Sequence, residues 1–370
     1  MERGEIVSKI FKDFTFHGKK LSSLSTKYIS ASFDSEITKE LAMERDMDVG
    51  STNRYRIEGN YFGDSWTDTL PIQMNIMKDP CAYDSQSDLI ISKTELRELT
   101  QWLTSPHFPE WIEFEYDTGT DINEGKFYCG WFNNIETWVV GGEIYGLILS
   151  FKCTTPFAYT DEITDTKLTS TYNSLTVTNY SDEEESYRYP TIEIKPNANS
   201  DIYICNLSDC NILEQGTLTA SSGSYIDALL NKAENYATLN GYTLTYTGTG
   251  TYNIVTVCDD TAVQFYLTDK YNNSEKKCTA FYLPDTHEYR IIDNGFVYMT
   301  VSRDLDVYMD SQRLTLHDSL DRMITYDELG ITDVDFIYWP RLVHGVNNFL
   351  LYGKNVEFTF KHRESRKVGE

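Results

Sequence analysis

Apolar and polar residues alternate along much of the chain. In Ile112-Glu113-Phe114-Glu115-Tyr116 three apolar side chains fall on one face. Leu147, Leu149, Phe151 and Cys153 share a face after Gly146, and Val356, Phe358 and Phe360 repeat the pattern near the C-terminus. A period of two marks strands covered on one side. Many such strands, separated by Gly, Asn and Asp, predict barrels or sandwiches. Two stretches have helical spacing instead. Ser92-Lys93-Thr94-Glu95 is a capping box, followed on one face by Leu96, Leu99, Trp102 and Leu103 and ended by Pro106. Ser224-Tyr225-Ile226-Asp227 opens a second helix, with the stripe Ile226, Leu229, Leu230, Ala233 and Ala237 closed by Asn240-Gly241. The expected fold is mainly β, all-β or α+β, with each helix covering a sheet.

A chain of 370 residues exceeds what one core usually organises, so two or three domains are expected. A boundary is expected near residues 160–188, where Thr, Ser and Asp crowd and Asp182-Glu183-Glu184-Glu185 forms an acidic run. That run reads as a solvated turn or linker, because consecutive carboxylates cannot all face one cation. A second change of composition spans 212–282, rich in Thr, Ser, Gly and Tyr. It reads as an inserted module with a helix followed by a hairpin.

Charge excludes more than it suggests. With 32 basic and 57 acidic residues, the net charge is −25. Such a surface repels phosphate, so general nucleic-acid binding is not expected. No run is long and apolar enough to span a membrane. The first fourteen residues lack the apolar segment of a secretory signal, so export by that route is not expected. The seven cysteines have no CxxC pair and read as reduced, mostly buried thiols.

Candidate chemistry is sparse. No phosphate loop, GxSxG, HExxH or dinucleotide fingerprint occurs, and the six histidines are scattered. In a strand, Asp304, Asp306 and Asp310 would share a face and offer oxygens to a hard cation; a charged strand edge is the plainer reading. A pair of glycosidase carboxylates cannot be singled out among so many acids. Tyr242, Tyr246 and Tyr252 are candidates for host or partner contact, including stacking on sugars, although Tyr242 and Tyr246 also fit an ordinary strand face. No catalytic residue, metal ligand or cofactor is expected.

Several segments, taken in order, resemble one family. Phe14-Thr-Phe-His-Gly18 is similar to the FxFNG-type opening of the distal tail proteins of long-tailed phages, with His17 in place of Asn. Arg54-Tyr-Arg-Ile-Glu-Gly59 resembles that family's strand before a Gly turn, and Phe151, Cys153, Pro156 and Tyr159 resemble its F-x-C-x-x-P-x-x-Y domain exit. Tyr189-Pro-Thr-Ile-Glu-Ile194 resembles the start of its C-terminal sandwich. Pro340, Leu342, Gly345 and Asn347 resemble its late P-x-L-x-x-G-x-N turn. Residues 212–282 have no counterpart.

The resemblance implies a β-barrel-like hub domain over 1–160 with a capping helix, a linker over 161–188, and a galectin-like β-sandwich over 189–370 that carries the insertion. It implies a virion protein that forms a homohexameric ring at the tail tip. The ring would join the tail-tube protein to the tail-associated hub or lysin and carry receptor-binding proteins. DNA would pass through in transit without specific binding, and no membrane insertion is implied. A carbohydrate-binding adhesin working through the C-terminal domain is the alternative. Candidate ring contacts are Phe14 and Phe16 in the opening strand, and Trp131 and Trp138 flanking an expected Asn133-Asn134 hairpin turn. Buried core is the plainer reading of all four; exposed aromatics would suit a subunit interface.

Overall fold

A computed structural model of the chain describes residues 11–31, 45–47, 65–67, 70–116, 126–219, 225–246, 255–258, 261–331 and 337–367. The chain divides into two units. The first comprises residues 1–161 and 364–370, the second 162–363. The first unit is therefore completed by the chain's last strand: Ser365–Lys367 pairs antiparallel with Phe157–Tyr159.

The first unit is built on one antiparallel sheet. Its strand order is Lys19–Lys20, Phe11–Phe16, Glu110–Tyr116, Phe127–Val140, Glu143–Cys153, Pro71–Lys78 and Tyr28–Ser30. The sequence suggested a barrel; among the described residues the sheet stays open, with Lys19–Lys20 and Tyr28–Ser30 at its two ends. The alternation foreseen in the sequence holds here. Ile112 and Phe114 of one strand, and Leu147, Leu149, Phe151 and Cys153 of another, are buried in a single core.

Helix α1 (Lys93–Thr104) packs Leu99, Trp102 and Leu103 into that core. Its capping box is formed as read: the Glu95 backbone N–H donates to Ser92 Oγ at 3.3 Å, and the Ser92 N–H donates to Glu95 Oε2 at 2.8 Å. The Trp102 indole N–H donates to the Phe16 carbonyl at 3.1 Å, tying helix to sheet.

The second unit stacks three sheets and a helix. The outer sheet runs Ile163–Thr169, Val356–His362, Thr191–Pro196, Val307–Asp310 and Thr315–His317. The middle sheet runs Tyr172–Asn179, Gly345–Tyr352, Ser200–Asn206 and Phe296–Val301. Between them lies an aliphatic core that includes Ile192, Ile194, Ile202, Ile204, Val297 and Met299. The third sheet runs Asn211–Thr217, Glu288–Asp293, Glu275–Leu283, Ala262–Asp269 and Tyr242–Tyr246, with Val255–Val257 also on Ala262–Asp269. Its far face carries helix α2 (Tyr225–Leu239), which buries Leu229, Ala233 and Ala237.

Two expectations change. Residues 161–188, expected as a linker, hold the strands Ile163–Thr169 and Tyr172–Asn179, which pair with Val356–His362 and Gly345–Tyr352. Their Thr content, which looked like a linker, suits an edge strand equally well. The inserted segment is larger than a helix and hairpin, because its sheet extends to Asp293. That sheet is also needed: Ala262, Phe281 and Ile292 cover the middle-sheet residues Tyr203, Cys205, Phe296, Leu350 and Tyr352.

Candidate functional site

The candidate contacts fall into groups that the fold treats differently. Phe14 and Phe16 are fully buried. Phe14 stacks on Trp102 with ring centroids 5.8 Å apart, and Phe16 meets Phe132 edge-on at 5.0 Å. Both side chains hold the first-unit core and face no partner from this position. Trp131, next to the buried Phe132, lies on the other side of its strand and is 40% exposed.

Asn133 and Asn134 do not form the turn. The strand runs on to Val140, and the turn is Gly141-Gly142, with φ of +62° and +91°. Two successive positive φ values suit a two-residue hairpin turn, which glycine adopts without a Cβ penalty. Around Asn133 the register shifts between Phe132 and Asn134, and it shifts again between Trp138 and Val139. These bulges add twist and carry the ribbon on.

Residues 136–143 at the end of this ribbon are exposed, with Trp138 half-buried. Val139 and Val140 are exposed at its tip. A two-stranded ribbon is marginal in water by itself, and exposed apolar side chains on one favour a protein contact. Sequence reading missed Val139 and Val140 because it placed the turn too early. The Gly-Gly pair was the available signal.

The edge of the first unit beneath α1 is fixed by charge. The Lys78 side chain, almost wholly buried, donates to the carbonyls of Asp88 and Ile90 at 2.9 and 2.8 Å and meets Glu95 Oε1 at 2.9 Å. Thr26 Oγ1 also donates to Glu95 at 3.0 Å. Burial alone would raise the Glu95 pKa; the bonds from Lys78, Ser92 and Thr26 outweigh it and hold the carboxyl down to about 2.

In the second unit, Tyr242 and Tyr246 serve packing. Tyr242 stacks near Tyr236 of α2 at 6.3 Å, and the Tyr246 hydroxyl donates to Glu234 of α2 at 2.9 Å. Tyr252 lies outside the described residues, as does the segment 54–59. Of the acidic trio, only Asp310 is in a strand, and its carboxylate accepts the backbone N–H groups of Gln312 and Arg313 at 3.0 and 2.9 Å to close a turn. Among the described residues no three His, Cys, Asp or Glu side chains converge as a metal site. No disulfide joins the seven cysteines, and burial pushes the Cys153 thiol up to about 12. Among the described residues no helix is long and apolar enough to cross a membrane.

No curated protein is significantly similar in sequence. Three solved structures are similar over nearly the whole chain. The SPP1 Dit (gp 19.1) protein, described as a paradigm of the hub adsorption apparatus in Gram-positive infecting phages, is 12% identical with a TM-score of 0.45, over 96% of this chain and 99% of that one. A chain of the phage P2 baseplate in its activated conformation with Ca is 8% identical, with a TM-score of 0.39, over 97% and 100%. One from the same baseplate with Sr is 10% identical, with a TM-score of 0.38, over 96% and 98%. Residues 9–155, nearly all of the first unit's N-terminal span, match the family model described as the phage tail protein N-terminal domain. Residues 9–155 are thus similar to a phage tail protein N-terminal domain.

Proposed function

We propose that this chain is a distal tail protein: a homohexameric ring that joins the tail tube to the tail-tip hub or lysin, with a galectin-like second unit that carries receptor-binding proteins. The observation that carries the reading is the match of residues 9–155 to a phage tail protein domain. The ribbon at residues 136–143 supports it, because exposed Val139 and Val140 at its tip offer each subunit an apolar contact, with exposed Trp131 further back on the same strand. Closed cyclic symmetry would satisfy such a contact on every copy at once. Two of the three tyrosines behind the carbohydrate-adhesin reading, Tyr242 and Tyr246, contact α2, which favours the ring reading.

Cryo-electron microscopy of purified tails, with the copy number measured by quantitative mass spectrometry, tests this reading. Sixfold rings of this chain between tube and tip are expected. A different symmetry, or a position elsewhere on the particle, overturns it. Replacing Val139 and Val140 with Asp should abolish ring assembly while leaving the thermal midpoint of the protein unchanged. Intact rings from that variant would remove the ribbon from the contact.

A further inference from the structure

The second unit presents an exposed tyrosine surface outside the span of the family match, and its construction begins with the turn at Pro340, Leu342, Gly345 and Asn347. The Asn347 side chain closes this turn. Its Oδ1 accepts the Val343 N–H at 2.9 Å, and its Nδ2 donates to the Val343 carbonyl at 2.9 Å. Asn179 Nδ2 donates to the Val343 carbonyl at 3.2 Å, joining the preceding strand to the same turn. Arg188 and Leu342 then exchange backbone hydrogen bonds of 3.0 and 2.7 Å. The Arg188 guanidinium Nε donates to Ser181 Oγ at 3.0 Å, and Ser181 Oγ donates to Asn179 Oδ1 at 2.7 Å. Residues 180–188 are therefore a loop tied at its two ends and along the adjoining turn.

This ordered loop and its flank expose three rings: Tyr180 at 54%, Tyr187 at 38% and Tyr189 at 46%. Half-exposed rings of this size leave apolar area that a partner could cover. Tyrosine is also the residue that makes contact area at low entropic cost. Because the backbone is already fixed, a partner would not have to order it. Between the rings runs Asp182-Glu183-Glu184-Glu185, with Asp182, Glu184 and Glu185 exposed.

One cation already occupies part of this surface and displays the chemistry it suits. The Arg341 guanidinium carbon sits 3.7 Å above the centre of the Tyr187 ring and 5.2 Å from that of Tyr338. Arg341 Nε donates to Asp209 Oδ2 at 2.7 Å, and the Tyr338 hydroxyl donates to the same oxygen at 2.9 Å. A planar cation on a tyrosine face with a carboxylate at its edge is a complete recognition unit. Tyr189, two residues along from Tyr187, and the exposed carboxylates of the loop offer groups of the same kind to a second cation, while Tyr180 meets His344 edge-on at 6.3 Å.

We propose that the Tyr180, Tyr187 and Tyr189 surface, with the acidic loop between its rings, docks an arginine- and lysine-bearing segment of another protein. Charge complementarity selects this occupant. A neutral glycan would gain hydrogen bonds but no charge attraction from the carboxylates, and a polyanion would be repelled by them.

The full chain is titrated with a fluorescent arginine–serine repeat peptide, a glutamate–serine peptide and chitohexaose at physiological salt. The arginine peptide alone should bind. Glu183→Gln, Glu184→Gln and Glu185→Gln combined should weaken binding about tenfold or more, and so should Tyr187→Ala with Tyr189→Ala. Tyr189→Ser alone, on an exposed side chain, repeats the test should the double variant unfold. Glu275→Gln, Asp285→Asn and Asp304→Asn remove equal charge from other exposed positions and should change affinity by less than about twofold. Equal loss in that control would assign binding to net charge and overturn the proposal. Unchanged binding by the tyrosine variants would do the same, as would binding of chitohexaose in place of the peptide.

Discussion

Adjacent residues on a strand meet different fates in the two units. In the first unit Phe132 is buried while Trp131 is 40% exposed. In the second, Tyr203 and Ile204 are both fully buried. The first-unit strand belongs to a sheet with one core, so successive side chains alternate between core and solvent. The Ser200–Asn206 strand belongs to the middle of a stack. Ile204 faces the aliphatic core shared with the outer sheet, and Tyr203 faces the inserted module. What differs is the number of covered faces, and strand chemistry follows from that.

The comparison breaks most completely if the inserted module can be removed without consequence. Excising residues 212–282 would uncover Tyr203, Cys205, Phe296, Leu350 and Tyr352 together, several times the apolar burial of a single substitution. The shortened chain should appear in the insoluble fraction, or lose the second unit's unfolding transition. A soluble product with both transitions intact would show that the middle sheet needs cover on one face only.

Next in size come paired alanines. Phe132→Ala should cost about 3–5 kcal/mol, and Trp131→Ala less than about 1 kcal/mol. Tyr203→Ala and Ile204→Ala should both be severe, at about 3–5 and 2–5 kcal/mol. Urea unfolding of the four variants measures the contrast directly. A mild Tyr203→Ala would place the second unit's strand in the same one-sided class as the first unit's.

The same contrast explains what could be read in advance. One-sided strands such as Glu110–Tyr116 and Glu143–Cys153 announced their core faces by alternation, and the Ser92–Glu95 box announced α1. The run Ile202-Tyr203-Ile204-Cys205 has no period, because burial on two faces erases it. The two-sheet sandwich was legible, but the third sheet read only as a helix and hairpin, and 212–282 looked detachable. Of the candidate contacts, Trp131 is the one with an exposed ring on the open side of its sheet. Phe14 and Phe16 alternate as any core pair does. Tyr180, Tyr187 and Tyr189 went unnoticed because they flank an acidic run that reads as solvated, and only the bonds among Asn179, Ser181, Arg188 and Leu342 make that run ordered.

Buried charge gives a smaller contrast between the units. Glu95 in the first unit is held at about 2 by Lys78, Ser92 and Thr26 against the opposing effect of burial. Glu193 in the second is also lowered, with burial opposing the bonds from Lys361 and Lys195. A carboxyl whose pKa falls on folding contributes stability above its unfolded value, and loses it as pH drops through the folded one. The first unit should therefore weaken progressively between about pH 4.5 and 2. Glu95→Gln should cost about 2–3 kcal/mol near neutrality, because it takes the counter-charge from the buried Lys78 ammonium. It should also flatten the acid limb of the first transition and leave the second alone. A parallel acid limb in the variant would remove Glu95 from that role.

The finest test uses one oxygen. The Tyr203 hydroxyl is fully buried and makes no hydrogen bond among the described residues. The Cys205 thiol borders it, and a thiol is a poor partner for a hydroxyl. Its desolvation is therefore uncompensated, and Tyr203→Phe should raise stability by about 1 kcal/mol. On the same interlayer core Tyr172 is satisfied, with its hydroxyl 3.1 Å from Thr261 Oγ1. Tyr172→Phe removes that bond, leaving the Thr261 hydroxyl its bond to the Cys258 carbonyl, and should lower stability by about 1 kcal/mol. Two identical substitutions in one packed layer should thus move the second unit's thermal midpoint in opposite directions, each by about 2–4 °C. Loss of stability in both variants would mean that a hydroxyl between the middle sheet and the module finds a partner wherever it sits. The layer would then be polar and adaptable, unlike the tightly fixed aromatic core of the first unit.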